Sequence, residues 1–282
     1  MAMTMTVWGA RGSVPTPGPE FVRYGGDTTC LSIEADDGTF IVLDAGTGAR
    51  RLGTQLMQAP PRRLCFLMSH AHWDHVIGFP FFKPLFTKGF EIEFYGCMHA
   101  QESVRGMLEQ TMQAPFFPVD LGRVGASLTF HELCGDRCAV GGVTVWRLPL
   151  SHPNGGCGFR LEYGGRSVAF FPDNELSFDH RGGRSFEGYR DFCRGCDVLV
   201  HDAEYRPEEY AAQTRGWGHS VFVDTVRLGL AAGVGRLVLW HLNQDRTDDQ
   251  ADALQDEARA VVRAAGSAMP CDLAFTGMRI EV

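Results

Sequence analysis

The chain lacks a surplus of positive charge. Its 26 Lys and Arg stand against 34 Asp and Glu, a formal net charge of −8. Grip on a long polyanion rests on basic side chains that neutralise phosphates, so polymeric nucleic acid is a poor match, whereas a small ligand reaching one local site is not excluded. No run of five like charges is present, which excludes a basic tail for RNA or an anionic membrane surface. No window approaches the roughly 18 apolar residues of a membrane span. The opening stretch MAMTMTVWGARGSVP lacks the charged-then-apolar order of a signal peptide. A soluble, cytoplasmic protein is the expectation. Internal repeats and low-complexity linkers are also missing, so residues 1–282 read as a single domain. Nine cysteines, odd in number and scattered, fit reduced thiols better than a disulfide framework.

What is present is an ordinary globular composition, 44% hydrophobic and 21% charged, with two similar halves. In the first, Thr28 to Ala35 and Thr39 to Leu43 read as strands around an Asp36-Asp37-Gly38 turn. A helix over 48–58 follows, then strands Leu64 to Met68 and Glu91 to Tyr95 and a helix over 99–113. In the second, Val143 to Leu148, Gly158 to Tyr163, Ser167 to Phe171, Asp197 to His201 and Arg236 to Trp240 read as strands, the second and third of them joined by a Gly164-Gly165 turn. Helices are predicted over 184–193, 219–232 and 248–265. The twice-repeated order implies an α/β protein of two sheets packed face to face with helices outside.

The chemistry is concentrated in Ser69-His70-Ala71-His72-Trp73-Asp74-His75, directly after a buried strand. Three imidazoles and a carboxylate in six residues do not belong in an apolar core. Their nitrogen and oxygen donors suit zinc or manganese, and iron less specifically. Three further candidates, His152, Asp173 and His241, each follow the end of a predicted strand, where loops carry sites. Singly each could be a polar strand end; together with the cluster they read as ligands.

The run HAHWDH, with the later His, Asp and His in order, resembles the metallo-β-lactamase superfamily over nearly the whole sequence. Other stretches that carry the likeness are Tyr24-Gly25-Gly26-Asp27-Thr28-Thr29-Cys30, Leu43-Asp44-Ala45-Gly46-Thr47-Gly48, Gly78-Phe79-Pro80-Phe81-Phe82, His201-Asp202-Ala203-Glu204-Tyr205 and Gly216-Trp217-Gly218-His219-Ser220. The branch resembled contains ribonuclease Z, the phosphodiesterase of phosphonate breakdown and bacterial cyclic-nucleotide phosphodiesterases. The resemblance implies a four-layer αββα sandwich and two divalent metal ions, zinc first, with manganese or iron as alternatives. It implies His70, His72 and His152 on one ion, Asp74, His75 and His241 on the other, and Asp173 bridging both. A hydroxide held between the ions would be the nucleophile.

His219 distinguishes the branch, because its Gly-His-Ser setting has no counterpart requirement among lactamases. The resemblance implies a catalytic set of His219, Asp202 and Asp74. His219 would protonate the leaving oxygen, a useful act when an alkoxide departs, and Asp202 would orient the imidazole. Asp44 is read as a support of the metal loop or as a cap of the helix at 48–58. Arg11 could meet a substrate phosphate. Two departures from the pattern stand out: Asp27 where relatives often carry Asn, and Leu242 where they often carry a second histidine. Cys134, Cys138, Cys193 and Cys196 could pair into a structural zinc site, with free thiols the preferred reading. Phe79, Phe81, Phe82, Phe86, Phe116 and Phe117 could line a base pocket, a homodimer contact or an ordinary core.

The function expected is hydrolysis of a small phosphodiester such as a cyclic nucleotide. Transfer RNA is disfavoured: residues 160–200, with Arg181-Gly182-Gly183-Arg184, are too short and too mixed in charge for a basic tRNA-gripping arm. Thioester or lactam hydrolysis is the alternative within enzymes. A non-catalytic metal-binding regulatory module is the alternative outside them.

Overall fold

A computed structural model describes residues 2–58, 63–96, 103–133 and 135–282. Fourteen strands among them form two seven-stranded sheets. The first half supplies β1 (Met3–Gly9), β2 (Cys30–Ala35), β3 (Phe40–Leu43), β4 (Arg63–Met68), β5 (Glu91–Gly96) and β6 (Ser127–Glu132). The second supplies β7 (Arg137–Val140), β8 (Val143–Pro149), β9 (Cys157–Tyr163), β10 (Arg166–Phe171), β11 (Val198–Asp202), β12 (Arg236–Trp240), β13 (Cys271–Leu273) and β14 (Arg279–Glu281). Their orders are β14-β1-β2-β3-β4-β5-β6 and β13-β12-β11-β10-β9-β8-β7. In the first sheet the run from β14 to β3 is antiparallel and the run from β3 to β6 is parallel. The second sheet is antiparallel from β7 to β10 and parallel from β10 to β13. The last strand, β14, crosses back to join the first sheet beside β1.

The helices are α1 (Gly48–Leu56), α2 (Trp73–Val76), α3 (Val104–Thr111), α4 (Phe186–Phe192), α5 (Pro207–Glu209), α6 (Phe222–Ala232) and α7 (Asp248–Ala264). β4 shows how the layers follow from sequence. Its run Leu64 to Met68 is apolar throughout because both faces are covered. Cys65 and Leu67 join the core between the sheets, while Leu64, Phe66 and Met68 face a second core with Ala49, Leu52 and Leu56 of α1. On the far sheet, Tyr189, Val226, Leu254 and Val262 bring α4, α6 and α7 against the strands. Full burial of each such side chain stabilises the fold by roughly 1.5–3 kcal/mol. The αββα expectation therefore holds.

The predicted β9–β10 turn has φ of 60° at Gly164 and 81° at Gly165, the left-handed pair a two-residue hairpin needs. α7 begins with Thr247 accepting from the Gln250 backbone, and Gln250 answers the Thr247 N–H. The helix predicted over 219–232 begins instead at Phe222, so His219 lies in the loop ahead of it. The helix predicted over 99–113 spans Val104–Thr111; residues 99–102 of that prediction lie outside the described residues. Strands β1, β6, β7, β13 and β14 are additional to the sequence expectation, and all but β1 lie at a sheet edge. Cys30, Cys65, Cys138, Cys193, Cys196 and Cys271 are free thiols, whereas Cys157 is disulfide-bonded, against the expectation of thiols throughout. No described helix is long and apolar enough to cross a membrane.

Candidate metal centre

β8, β10, β11 and β12 run in one direction, since β9 is antiparallel to both of its neighbours. Their C-terminal ends therefore share one edge of the sheet, where Asp202 ends β11 and His152, Asp173 and His241 follow the other three strands. β3 and β4 deliver Asp44 and the His70–His75 loop to the same edge from the other sheet. Strand ends of this kind are where open α/β sheets bind ligands.

The seven residues singled out in the sequence converge. His70, His72, His152 and Asp173 form one group with a donor atom each within 4.8 Å of the others, and Asp74, His75, Asp173 and His241 form a second. Asp173 is common to both. Its Oδ2 is 3.6 Å from His70 Nε2, 3.8 Å from His152 Nε2 and 3.4 Å from His241 Nε2, and its Oδ1 is 3.1 Å from His75 Nε2. Nε2 of His70, Nε2 of His75 and Oδ1 of Asp173 are buried without a hydrogen-bond partner. Orphaned donor atoms of this kind are costly in a protein interior; turned toward a common centre, they fit a nitrogen- and oxygen-liganded cation.

The remaining ring nitrogens fix the tautomers. His75 Nδ1 donates to Asp44 Oδ2 at 2.8 Å, and His70 Nδ1 lies 2.9 Å from Ser69 Oγ, which itself donates to Asp44 at 2.7 Å. His152 Nδ1 donates to the Gly218 carbonyl at 2.9 Å. His241 Nδ1 faces Glu204 Oε2 at 3.0 Å. The contacts of His70, His75 and His152 turn Nε2 inward, the usual outer support of a metal-binding imidazole, whereas His241 Nδ1 and Glu204 Oε2 face each other without a hydrogen bond. His72 is reversed: its Nδ1 points inward, 3.0 Å from His152 Nε2.

Local backbone strain serves this geometry. Asp44 and His241 have φ of 59°, a left-handed conformation that costs a non-glycine residue on the order of 1–2 kcal/mol. Asp44 thereby turns its carboxylate onto the Ser69 backbone as well, at 2.7 Å. It supports the loop and does not cap α1, whose N-cap is Thr47. Gly218 has φ of 99°, and a Cβ there would lie 2.1 Å from His152 Nδ1, so only glycine lets its carbonyl approach that ring.

Charge balance follows from burial. Burial pushes His70 well down and His152 to about 3, favouring the neutral imidazoles that ligation requires. It works against His75 and His241 in the same way, but Asp173 and Asp74 outweigh it and hold both well up. Burial alone would raise Asp74 and Asp173; the imidazoles of His75 and His241 keep both well below the usual carboxylate range.

Beside this centre, His219 Nδ1 lies 2.9 Å from Asp202 Oδ2 and 3.5 Å from Glu204 Oε2. Its ring stacks on His241 at 4.3 Å between centroids and meets His152 edge-on at 5.1 Å. Burial lowers its basicity, yet Glu204 and Asp202 lift it to about 9. Asp202 is itself raised to about 6 by burial.

Sequence reasoning missed two carboxylates. Glu204 ties His241 to His219 and accepts from Asn243 Nδ2 at 2.8 Å. Glu175 accepts from the Gly216 and Gly218 backbones, both at 2.7 Å, from Tyr210 at 2.6 Å and from His180 at 2.8 Å, so it shapes the loop that carries His219. Each lies two residues beyond a residue already singled out, Asp202 and Asp173, which was the available signal.

Other expectations are corrected. Arg11 does not face a ligand. It is buried, donates to the carbonyls of Gly25, Asn243 and Arg246, and lies over Phe21. Phe79 and Phe82 are core residues, while Phe81, Phe86 and Phe116 are exposed. Leu242 is buried and exchanges backbone hydrogen bonds with the Ala10 and Gly12 segment. Asp27 pairs with Arg51. Cys134 lies outside the described residues, and Cys138, Cys193 and Cys196 do not meet in a group that could hold a metal.

Residues 39–242 match the beta-lactamase superfamily domain family. The ribonuclease Z of Gemmatimonas aurantiaca is 35% identical over 78 residues, 28% of this chain and 24% of that protein, so this match spans about a quarter of its length. The ribonuclease Z of Pyrobaculum arsenaticum is 26% identical over 232 residues, 74% of this chain and 78% of that one. The solved structure of the metallo-beta-lactamase fold protein YhfI from Bacillus subtilis superposes with a TM-score of 0.72 at 19% identity, covering 100% of both chains. With the αββα layers and the histidine- and aspartate-lined edge, the protein belongs to the metallo-β-lactamase superfamily of hydrolases.

Proposed function

We propose that this protein is a metal-dependent phosphodiesterase acting on a small phosphodiester, with a cyclic nucleotide the first substrate to try. The observation that carries the reading is His219 at the rim of the metal centre, stacked on His241 with Nδ1 committed to Asp202 and Glu204. That leaves Nε2 to serve the substrate side. Its similarity to ribonuclease Z proteins supports phosphoester chemistry.

His70, His72, His152 and Asp173 would hold one divalent ion, and Asp74, His75, His241 and Asp173 the other. Zinc is the first candidate, and manganese and iron are compatible with the same donors. Bound there, two such ions supply Lewis acidity toward a phosphoryl group and lower the pKa of water. The protein's own part is positional and protonic. Asp44, Ser69 and Gly218 hold the imidazoles in their inward tautomers. Asp202 and Glu204 keep His219 oriented to give a proton from Nε2 to the departing oxygen, which a phosphodiester needs more than a thioester does.

The test is hydrolysis of bis(p-nitrophenyl) phosphate beside a panel of cyclic nucleotides, with zinc- and with manganese-reconstituted protein. Turnover lost in His70→Ala and sharply reduced in His219→Ala supports the reading. Thioester or lactam turnover untouched by His219→Ala, with no diester hydrolysed, would replace it.

A further inference from the structure

A cleft of about 670 Å³ opens directly beside His152, lined by Pro149, Pro153, His180, Arg181 and Arg184 among others. Its outer wall is the loop over residues 178–184, which is fastened rather than loose. Ser151 Oγ, one residue before His152, donates to the Phe178 carbonyl at 2.6 Å and accepts from the His180 backbone at 3.1 Å. His180 Nε2 donates to Glu175 at 2.8 Å, and the Arg184 backbone donates to Tyr189 Oη at 2.9 Å. Gly182, at φ 91°, makes the turn between the two arginines.

Arg181 and Arg184 are exposed on this loop, and neither forms an ion pair with a carboxylate among the described residues, whereas the nearby Arg190 and Arg194 both pair with Asp191. Asp179 is the acid closest in sequence to Arg181 and Glu187 the one closest to Arg184; Asp179 and Arg184 both act on the Tyr189 hydroxyl. A third cation without an ion pair among the described residues borders the loop: Arg215 lies over the Phe178 ring at 5.4 Å, and Phe178 touches His180. Another arginine-rich cavity is different. There Arg23, Arg236, Arg259 and Arg279 are each matched by Asp252, Asp272 or Glu281. In a protein of net charge −8, two exposed guanidinium groups without an ion pair among the described residues stand together on the wall of the cleft that His152 borders, open to an anion from outside.

We propose that Arg181 and Arg184 form a specificity subsite for a second anionic group, so that the preferred substrates are small phosphodiesters carrying a further phosphate. Guanidinium forks bind phosphate oxygens by paired, charge-assisted hydrogen bonds. The inference rests on the phosphodiesterase reading for the scissile group alone; the anion site stands on its own geometry.

The experiment uses the full-length protein and two matched dinucleotides, ApA and 5′-phosphorylated pApA. Turnover is measured with metal-loaded protein, and binding is measured by calorimetry with both loaded and chelated protein. The wild type should favour pApA by about tenfold or more in kcat/KM, and Arg181→Ala/Arg184→Ala should bring that ratio close to one, with part of it restored by the double lysine variant. Selective binding of pApA that the double alanine variant abolishes, without hydrolysis of either dinucleotide, would uphold the subsite while removing the diesterase reading. Hydrolysis of both at equal rates in wild type and variant would overturn the subsite and leave the diesterase. Affinity that keeps climbing with oligonucleotide length and falls steeply with salt would also overturn it, in favour of a polyanion track.

Discussion

His219 Nδ1 and Asp202 Oδ2 meet at 2.9 Å, both buried, at the lip of the metal centre. If this pair presents a proton to a leaving oxygen, its importance depends on how badly that oxygen needs one. His219→Ala should lower kcat by about 10²-fold or more for an alkyl leaving group and far less for p-nitrophenolate. A leaving-group series read as log kcat against leaving-group pKa checks this. Equal losses across the series would assign His219 a purely structural part.

Asp173 belongs to both groups that could hold a metal in the His70–His75 region, whereas each of their other members belongs to one of the two. Purified wild-type protein under metal-replete conditions should carry two ions per protein molecule by mass spectrometry. Asp173→Ala should retain less than one, while His152→Ala should retain close to one, the site built by Asp74, His75 and His241. Equal retention by the two variants would remove the bridging assignment.

Arg11 is a clamp between the N-terminal loop and the segment after His241, with three backbone carbonyls as its partners. Arg11→Met leaves those carbonyls unsatisfied and should destabilise the fold by about 3 kcal/mol. Urea unfolding measures it. A raised KM with unchanged stability would instead return Arg11 to a role in substrate binding.

His201 is buried against Asn174, the Asp202 carbonyl and Thr225, and burial lowers its pKa from 6.5 to about 4. The unfolded state therefore takes up a proton between these values that the folded state does not. The neutral ring's contribution is complete above pH 6.5 and is lost as pH falls toward 4, on the order of 3 kcal/mol in all. Asp202, raised from 3.8 to about 6, acts in the opposite sense and flattens the wild-type curve. The difference between wild type and His201→Gln is thus the readout in pH-dependent unfolding, and it should shrink from pH 6.5 to pH 4. A difference independent of pH would show that His201 is not held neutral.

The histidine and aspartate cluster that could hold metal and the layers were legible in the amino-acid order alone. HAHWDH has no structural use in an apolar core, and the strands before it and before Asp173 and His241 end in apolar runs, Leu64 to Met68, Val168 to Phe171 and Leu237 to Trp240, because sheets buried on both faces favour them. Residues that act through one another became visible only once the sheets were assembled. Glu204 and Glu175 look like ordinary acids in one dimension; their roles come from the sharing of one sheet edge by β10 and β11, which turns them onto His241 and the Gly216–Gly218 loop. Arg11 read as a possible phosphate contact because a guanidinium in a loop is a charge-assisted donor, and it became a clamp because β12 ends where that loop passes. A residue's chemistry is local and can be read from its name, but its partners are set by crossings between segments far apart in sequence.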